Sequence, residues 1–95
     1  MALRITVQEQ ESLIKLTLEG RLVGPWVAEL YKAWGETAPR LGSKKLLLNL
    51  HDLTFSDEEG KQALREIVAQ TRAEISSSTP LTNHLAQELS TPRTN

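Results

Sequence analysis

The order of periodic patterns along the chain predicts a single small α/β domain with a mixed, mostly parallel four-stranded sheet and about three helices. Two segments of alternating apolar residues come first, and two helical stripes then flank an almost unbroken apolar run at residues 46–50. Such a run is typical of a strand covered on both faces, as in a parallel sheet. The predicted order is β-β-α-β-α-β-α, with right-handed crossovers between parallel strands.

The first two strands are predicted at residues 3–7 and 14–18, where apolar and polar side chains alternate with the period of a half-buried strand. The polar stretch at residues 9–12 predicts a turn, although it lacks the Asn-Gly or Gly-Gly pair of a tight hairpin. The second strand is expected to end at Gly20. Because the two segments lie so close in sequence, we expect them to be antiparallel neighbours.

The first helix is predicted to start at Gly24-Pro25, because proline fits the first helical position, where no backbone donor is needed. Pro39, followed by Gly42, is expected to close it. At about 100° per residue the apolar side chains share one arc, which predicts a face packed on the sheet. The members of this arc are Trp26, Val27, Leu30, Tyr31, Ala33 and Trp34. A second interpretation is that Trp26, at the edge of the arc, is partly exposed and anchors a partner.

The second helix is predicted at residues 57–71, followed by a short strand at 73–76 and a third helix. The apolar stripe of the second helix comprises Ala63, Leu64, Ile67, Val68 and Thr71. Thr79 before Pro80 predicts a capped start for the third helix, on which Leu81, Leu85 and Leu89 recur on one face. Residues 1–90 are therefore expected to form the one domain, and residues 91–95 a flexible tail.

The composition of the chain argues against several classes of protein, among them nucleic-acid-binding and membrane proteins. The net charge is −1 with acids and bases scattered, so no basic face suggests nucleic acid and no basic cluster suggests a membrane surface. The chain has no cysteine, which excludes disulfides, thiolate catalysis and zinc–thiolate sites. It has no signal-peptide core and no apolar run that approaches the roughly 20 residues of a spanning helix. These features predict a cytoplasmic protein without direct membrane insertion.

Candidate chemistry concentrates where the apolar run turns into the second helix. Asp57, Glu58 and Glu59 sit at the helix start, where the helix dipole favours negative charge. Glu58 and Glu59 point about 100° apart, so they do not form a facing carboxylate pair for acid–base catalysis. His51 and His84 are interpreted as surface or hydrogen-bonded residues, and no spacing fits a metal triad. We therefore expect no enzyme activity, no cofactor and no metal.

The segment at residues 46–60 resembles the signature of STAS domains, the anti-sigma-factor antagonist family that also supplies cytoplasmic tails of sulfate transporters. In that family an apolar strand ending in Asp-Leu leads to Phe-x-Asp-Ser-Ser/Thr-Gly at a helix start. This chain has Leu53-Thr54-Phe55-Ser56-Asp57-Glu58-Glu59-Gly60. Gly20-Arg21-Leu22 and Ser78-Thr79-Pro80-Leu81 also resemble family positions, and the resemblance covers roughly residues 3–89.

The chain departs from this pattern at the residues that carry the family's switch. Glu58 replaces the serine that a partner kinase phosphorylates, Glu59 replaces the second hydroxyl, and Asn49 replaces the strand-end aspartate. A glutamate carries one negative charge, whereas phosphoserine carries about −1.5 to −2, so it mimics the phosphorylated state incompletely. In the family, phosphorylation turns off binding to the anti-sigma kinase. The resemblance therefore leaves open whether the domain is locked in a non-binding state or has left the kinase switch altogether.

The resemblance implies a bacterial regulatory module that acts on transcription or signalling by binding a protein partner, such as an anti-sigma kinase. Alternatives are an accessory subunit of a transporter or signalling complex, and a STAS-like domain that binds a nucleotide or lipid; three acids at the turn disfavour the latter. The oligomeric state is left open. The partner-binding surface is expected at Ser56, Asp57, Glu58, Glu59, Gly60, Lys61 and Arg65.

Overall fold

The computed structural model describes residues 2–90, so the tail predicted at residues 91–95 lies outside the described residues. The chain forms an α/β domain of five strands and three helices. The elements in chain order are β1 (Leu3–Glu9), β2 (Leu13–Leu22), α1 (Pro25–Leu41), β3 (Lys45–Asn49), β4 (Leu53–Ser56), α2 (Glu58–Thr71), β5 (Glu74–Ser76) and α3 (Pro80–Ser90). The predicted fold class is confirmed.

The sheet is mixed, with the strand order β1-β2-β3-β5. β1 is antiparallel to β2, as predicted, and the other pairs are parallel. The four-stranded prediction is one strand short, because Leu53–Ser56 forms β4. β2 is ten residues long, and β3 pairs only with its first half, so β4 pairs with its last residues, Gly20–Leu22. β3 and β4 thus act as one strand interrupted by the turn at residues 50–52.

The helices cover one face of the sheet. The crossovers β2-α1-β3 and β4-α2-β5 step across the sheet in the same direction, and right-handed connections then place both helices on the same side. Leu46 and Leu48 of β3 are buried on that side, whereas Leu47 on the opposite side is only half-buried. The expectation that this strand is covered on both faces is therefore wrong. A two-layer arrangement leaves its second face open.

α1 begins at Pro25 as predicted and ends at Leu41, where Gly42 adopts a positive φ of 54°. Pro39 lies inside the last turn, so Gly42 marks the helix end and Pro39 does not. Val27, Leu30 and Trp34 are buried, which confirms the packed face. The same face also buries Thr37, whose hydroxyl donates to the Ala33 carbonyl 2.8 Å away.

The core lies between the sheet and the three helices, and it includes most of the predicted stripes of α2 and α3. Its α2 and α3 members are Ala63, Leu64, Ile67, Leu85 and Leu89. Val68 only packs against this core, Thr71 is half-buried, and the side chain of Leu81 lies outside the described residues. α3 starts as predicted, because the Thr79 hydroxyl accepts a hydrogen bond from the Thr82 backbone N–H at 3.1 Å. None of the helices in the described part of the chain is long and apolar enough to cross a membrane.

Candidate functional site

The predicted site lies at the carboxyl end of the parallel strands, where β4 passes into α2 close to the start of α1. Open α/β sheets bind ligands at this edge. The Asp57 backbone N–H donates to the Leu22 carbonyl at 3.1 Å, which fixes the turn against the end of β2. The turn is therefore held by a strand on one side and by two helix starts on the other.

Asp57 joins the two helix starts through its carboxylate. It is the N-cap of α2, and its Oδ1 accepts from the Gly60 N–H at 2.8 Å. Its Oδ2 accepts from the Gly24 N–H at 3.1 Å, where α1 begins without a side-chain cap of its own. Both oxygens of this carboxylate thus have internal partners. Asp57 positions the turn, and the exposed carboxylates lie on the next two residues, Glu58 and Glu59.

Gly60 and Ser56 form the internal support of the turn. Gly60 is buried, and a Cβ atom added there would lie 2.5 Å from the Ser56 Oγ and 2.8 Å from the Leu22 carbonyl oxygen. Ser56 is only 8% exposed, and its hydroxyl donates to the Asp57 carbonyl at 3.1 Å. The close backbone approach that Gly60 permits is therefore between α2 and the sheet, inside the domain.

Glu58 and Lys61 lie on the outer side of the first turns of α2. The Glu58 side chain is 85% exposed, and its Oε1 lies 3.6 Å from the Lys61 Nζ. The same Nζ lies 3.9 Å from the Glu88 Oε2 on α3. That oxygen is buried without a hydrogen bond within residues 2–90, so the lysine is its nearby counter-charge. Lys61 therefore ties α3 to the site, while Glu58 points into solvent.

Glu59 lies on the side of α2 that faces α1. There the Tyr31 hydroxyl donates to the Glu66 carboxylate, and the Trp34 Nε1–H donates to the Gln70 Oε1 at 3.2 Å. These contacts, with the one at Gly24, show that α1 and α2 run side by side in the same direction. Tyr31 was predicted on the packed face but is exposed, because its place at the edge of the arc lets its hydroxyl reach α2.

The contact between α1 and α2 should be visible in a tyrosine titration. The hydrogen bond to Glu66 raises the pKa of Tyr31 above the ordinary 10.0, and burial and the charges of Glu66 and Glu59 act in the same direction. Tyr31 is the only tyrosine, so tyrosinate absorbance reports on it alone. We expect a midpoint above 10.0 that falls in Glu66→Gln and stays unchanged in Glu36→Gln on α1. Equal midpoints in all three proteins would contradict the contact.

The remaining candidate residues, Arg65 and the two histidines, lie outside the turn itself. Arg65 is half-buried one turn after Lys61, on the same side of α2. His51 Nε2 lies 2.5 Å from the Ser76 Oγ, and the exposed His84 lies 3.1 Å from the Glu88 Oε1. Both histidines are thus hydrogen-bonded or surface residues, as interpreted. Within the described residues, no three His, Asp or Glu side chains come together in a group that could hold a metal ion.

Sequence reasoning missed Leu22, Gly24 and Glu88, which hold the turn and the start of α2 from other elements, and it missed the hydrogen bond between Tyr31 and Glu66 that joins α1 to α2. Gly24-Pro25 predicts a helix start, and because glycine has no side chain to cap it, the acceptor for the first N–H groups has to be water or another residue. The contacts of Glu66 and Glu88 are tertiary, and no local pattern identifies them.

The assembled site offers two exposed carboxylates on a rigid helix start, those of Glu58 and Glu59. They diverge around the helix, so they can each meet a cationic or hydrogen-bond-donating group but cannot act together on one atom. The arrangement suits recognition of a surface. No protein-family model matches the chain, and no curated protein matches it.

Proposed function

We propose that the chain is a non-enzymatic STAS-like protein-interaction module, with a regulatory role of the anti-sigma-factor antagonist kind, that binds a protein partner through the start of α2. The observation that carries this proposal is the contrast at the turn. Asp57, Ser56 and Gly60 are used internally, while Glu58 and Glu59 stand in solvent beside them. A fixed backbone that presents exposed charge is suited to a specific protein contact.

Rigidity supports the proposal. A partner that docks here meets side chains whose backbone is already held by β2, α1 and α3, through the Leu22 carbonyl, the Asp57 carboxylate and Lys61. Binding then costs little ordering of the turn itself. Lys61 and Arg65, both half-buried, flank the two glutamates, so the surface offers charges of both signs.

The chemistry of Glu58 separates this chain from a phosphorylation switch at the same position. A carboxylate cannot accept a phosphoryl group, and its charge is smaller than that of a phosphoserine. The nearest hydroxyl, that of Ser56, is buried and donates to the Asp57 carbonyl. We propose that the surface binds its partner constitutively, with affinity set by the two glutamates instead of by a kinase.

A pull-down with charge-reversal variants tests the proposal. The full chain is immobilised, and the recovered proteins are quantified for the parent chain, for Glu58→Lys with Glu59→Lys, and for Glu29→Lys with Glu36→Lys. The second pair is also exposed but lies on α1, away from the turn. We expect a protein whose recovery falls at least tenfold, about 1.4 kcal/mol of binding free energy, with the first pair only. Recovery that never depends on Glu58 and Glu59 would sink the proposal.

A second measurement separates binding from folding at the same two residues. Acids at a helix start contribute about 0.3–1 kcal/mol each, and their mutual repulsion offsets part of this. Glu58→Ser with Glu59→Ser should therefore change the free energy of unfolding by no more than about 1 kcal/mol. Thermal melts and the binding assay on this variant should show nearly unchanged stability and clearly weaker binding. The opposite outcome would assign the acids to helix stability alone.

A further inference from the structure

The outer edge of β1 is a second surface that the proposed function does not use. β1 is an edge strand of seven residues, and within residues 2–90 no strand pairs with its outer side. It contains no proline, and its register with β2 is continuous from Leu3 to Glu9. Val7 is 42% exposed on the face that the helices otherwise cover. A long regular edge of this kind is a template for pairing with another strand.

The backbone pairing shows which residues of β1 offer free hydrogen-bonding groups. The Arg21 N–H donates to the Ala2 carbonyl, and the Gln10 N–H donates to the Leu13 carbonyl. Because hydrogen-bonded and non-hydrogen-bonded pairs alternate in an antiparallel ladder, the even-numbered residues of β1 bond to β2. The N–H and C=O groups of Leu3, Ile5, Val7 and Glu9 therefore point away from the sheet.

From this geometry we infer that two copies of the chain pair antiparallel through β1 and form one continuous sheet. A two-fold axis through Thr6 brings Ile5 opposite Val7 of the second copy and Leu3 opposite its Glu9. All of these are residues whose backbone groups point outward, so each opposed pair exchanges two hydrogen bonds. In this register each residue that opposes a second residue of the other copy is matched by the reciprocal pair, as a two-fold axis requires.

The side chains at the centre of this register fit on both faces, while at its ends Leu3 lies opposite Glu9, whose carboxylate is paired with Arg40 and Lys44 of its own copy. On the helix-covered face, half-buried Ile5 meets exposed Val7 of the second copy, so the exposed valine becomes part of a four-residue apolar cluster. On the open face, Thr6 meets its own copy, and Arg4 meets Gln8, so no like charges are opposed. The strand that pairs with the edge of β1 is thus β1 of a second copy of this chain, whose side chains are compatible with it.

Sedimentation equilibrium measures the association directly. We expect a monomer–dimer equilibrium with a dissociation constant between about 10 µM and about 1 mM, because a short edge contact gives modest affinity. Val7→Lys, at a position that is already exposed, should weaken the dimer at least tenfold. Ala69→Lys on α2 adds the same charge at an exposed position away from β1 and should leave it unchanged. A chain that stays monomeric over this whole concentration range overturns the inference. The same result is expected if the edge of β1 pairs with a strand of a different protein, so that case also counts against it.

Cysteine cross-linking tests the register, and the chain has no native cysteine to interfere. Opposed residues of a non-hydrogen-bonded pair have Cα atoms about 4.5 Å apart, within the disulfide range of about 4.4–6.8 Å. Thr6→Cys should therefore form a covalent dimer under mild oxidation. Gln8→Cys is an exposed control on the same face, offset by four residues from its own copy, or roughly 14 Å. It should remain monomeric, and equal cross-linking of both variants would reject the register.

Discussion

Replacing Gly60 by alanine should destabilise the fold by about 1–2 kcal/mol, whereas the same replacement at Gly35 should stabilise it by about 0.5–1 kcal/mol. At Gly60 the added methyl group would meet the Ser56 Oγ at 2.5 Å and both the side chain and the carbonyl of Leu22 at 2.8 Å. One of these contacts is backbone, so relief requires α2 to move away from the sheet. At Gly35, inside α1, nothing lies within 4 Å of the added atom.

Urea unfolding followed by the fluorescence of the two tryptophans measures both variants. Ser56→Ala combined with Gly60→Ala removes the nearest contact but keeps the Leu22 carbonyl, so we expect only partial recovery of stability. If Gly60→Ala were neutral or stabilising, the close packing between α2 and the end of β2 would be wrong. Gly35→Ala shows in the same experiment what the alanine itself contributes to a helix.

Asp57→Ala should lower the free energy of unfolding by about 2–3 kcal/mol, more than substitution of the neighbouring Glu58 or Glu59. The loss combines the N-cap of α2 with the hydrogen bond to the Gly24 N–H. Relief of repulsion among the three neighbouring acids offsets a small part of it. Asp57→Asn should be intermediate, because its carbonyl oxygen can still cap α2 while its amide group cannot accept from Gly24.

The control for Asp57 is Asp52→Ala, an exposed aspartate in the turn between β3 and β4. It should change stability by no more than about 0.5 kcal/mol. Equal small effects at both positions would mean that the carboxylate of Asp57 does not hold the two helix starts together. An effect of Asp57→Asn as large as that of Asp57→Ala would mean that both oxygens must accept at once.

The elements with several turns or alternations were predictable from sequence. β1, β2, α1 and α2 each carry enough repeats to fix their period, and Gly24-Pro25 and Thr79-Pro80 mark helix starts. β4 was not predictable. It has only four residues, and the preceding His51 and Asp52 are typical of a turn. Its alternation is also broken, since Leu53 and Ser56 are both buried. The open second face was also hidden, because Leu47 continues the apolar run on the uncovered side.

At the site, the sequence predicted the position of the turn but not which of its acidic residues makes internal hydrogen bonds and which are exposed. Three acids in a row look alike in the sequence, yet Asp57 is held by two helix starts while Glu58 points into solvent. That difference depends on where Gly24 and Lys61 lie in space. Gly60 shows the same limit, since a glycine beside a helix start fits a partner surface and an internal contact equally well until its neighbours are known.

The irregular pairing of β2 with β4 has a consequence for how the turn is aimed. The register shifts between Gly20 and Arg21, so Leu53 pairs with Gly20 while Phe55 pairs with Arg21. Strict alternation from Leu53 would turn Phe55 inward and Ser56 outward. The shift instead sends Phe55 to the open side, beneath the Arg21 guanidinium, and delivers Ser56 to the floor under Gly60. One displaced residue in the ladder thus sets how the chain enters α2, where Asp57 takes the capping position and Glu58 and Glu59 stay exposed.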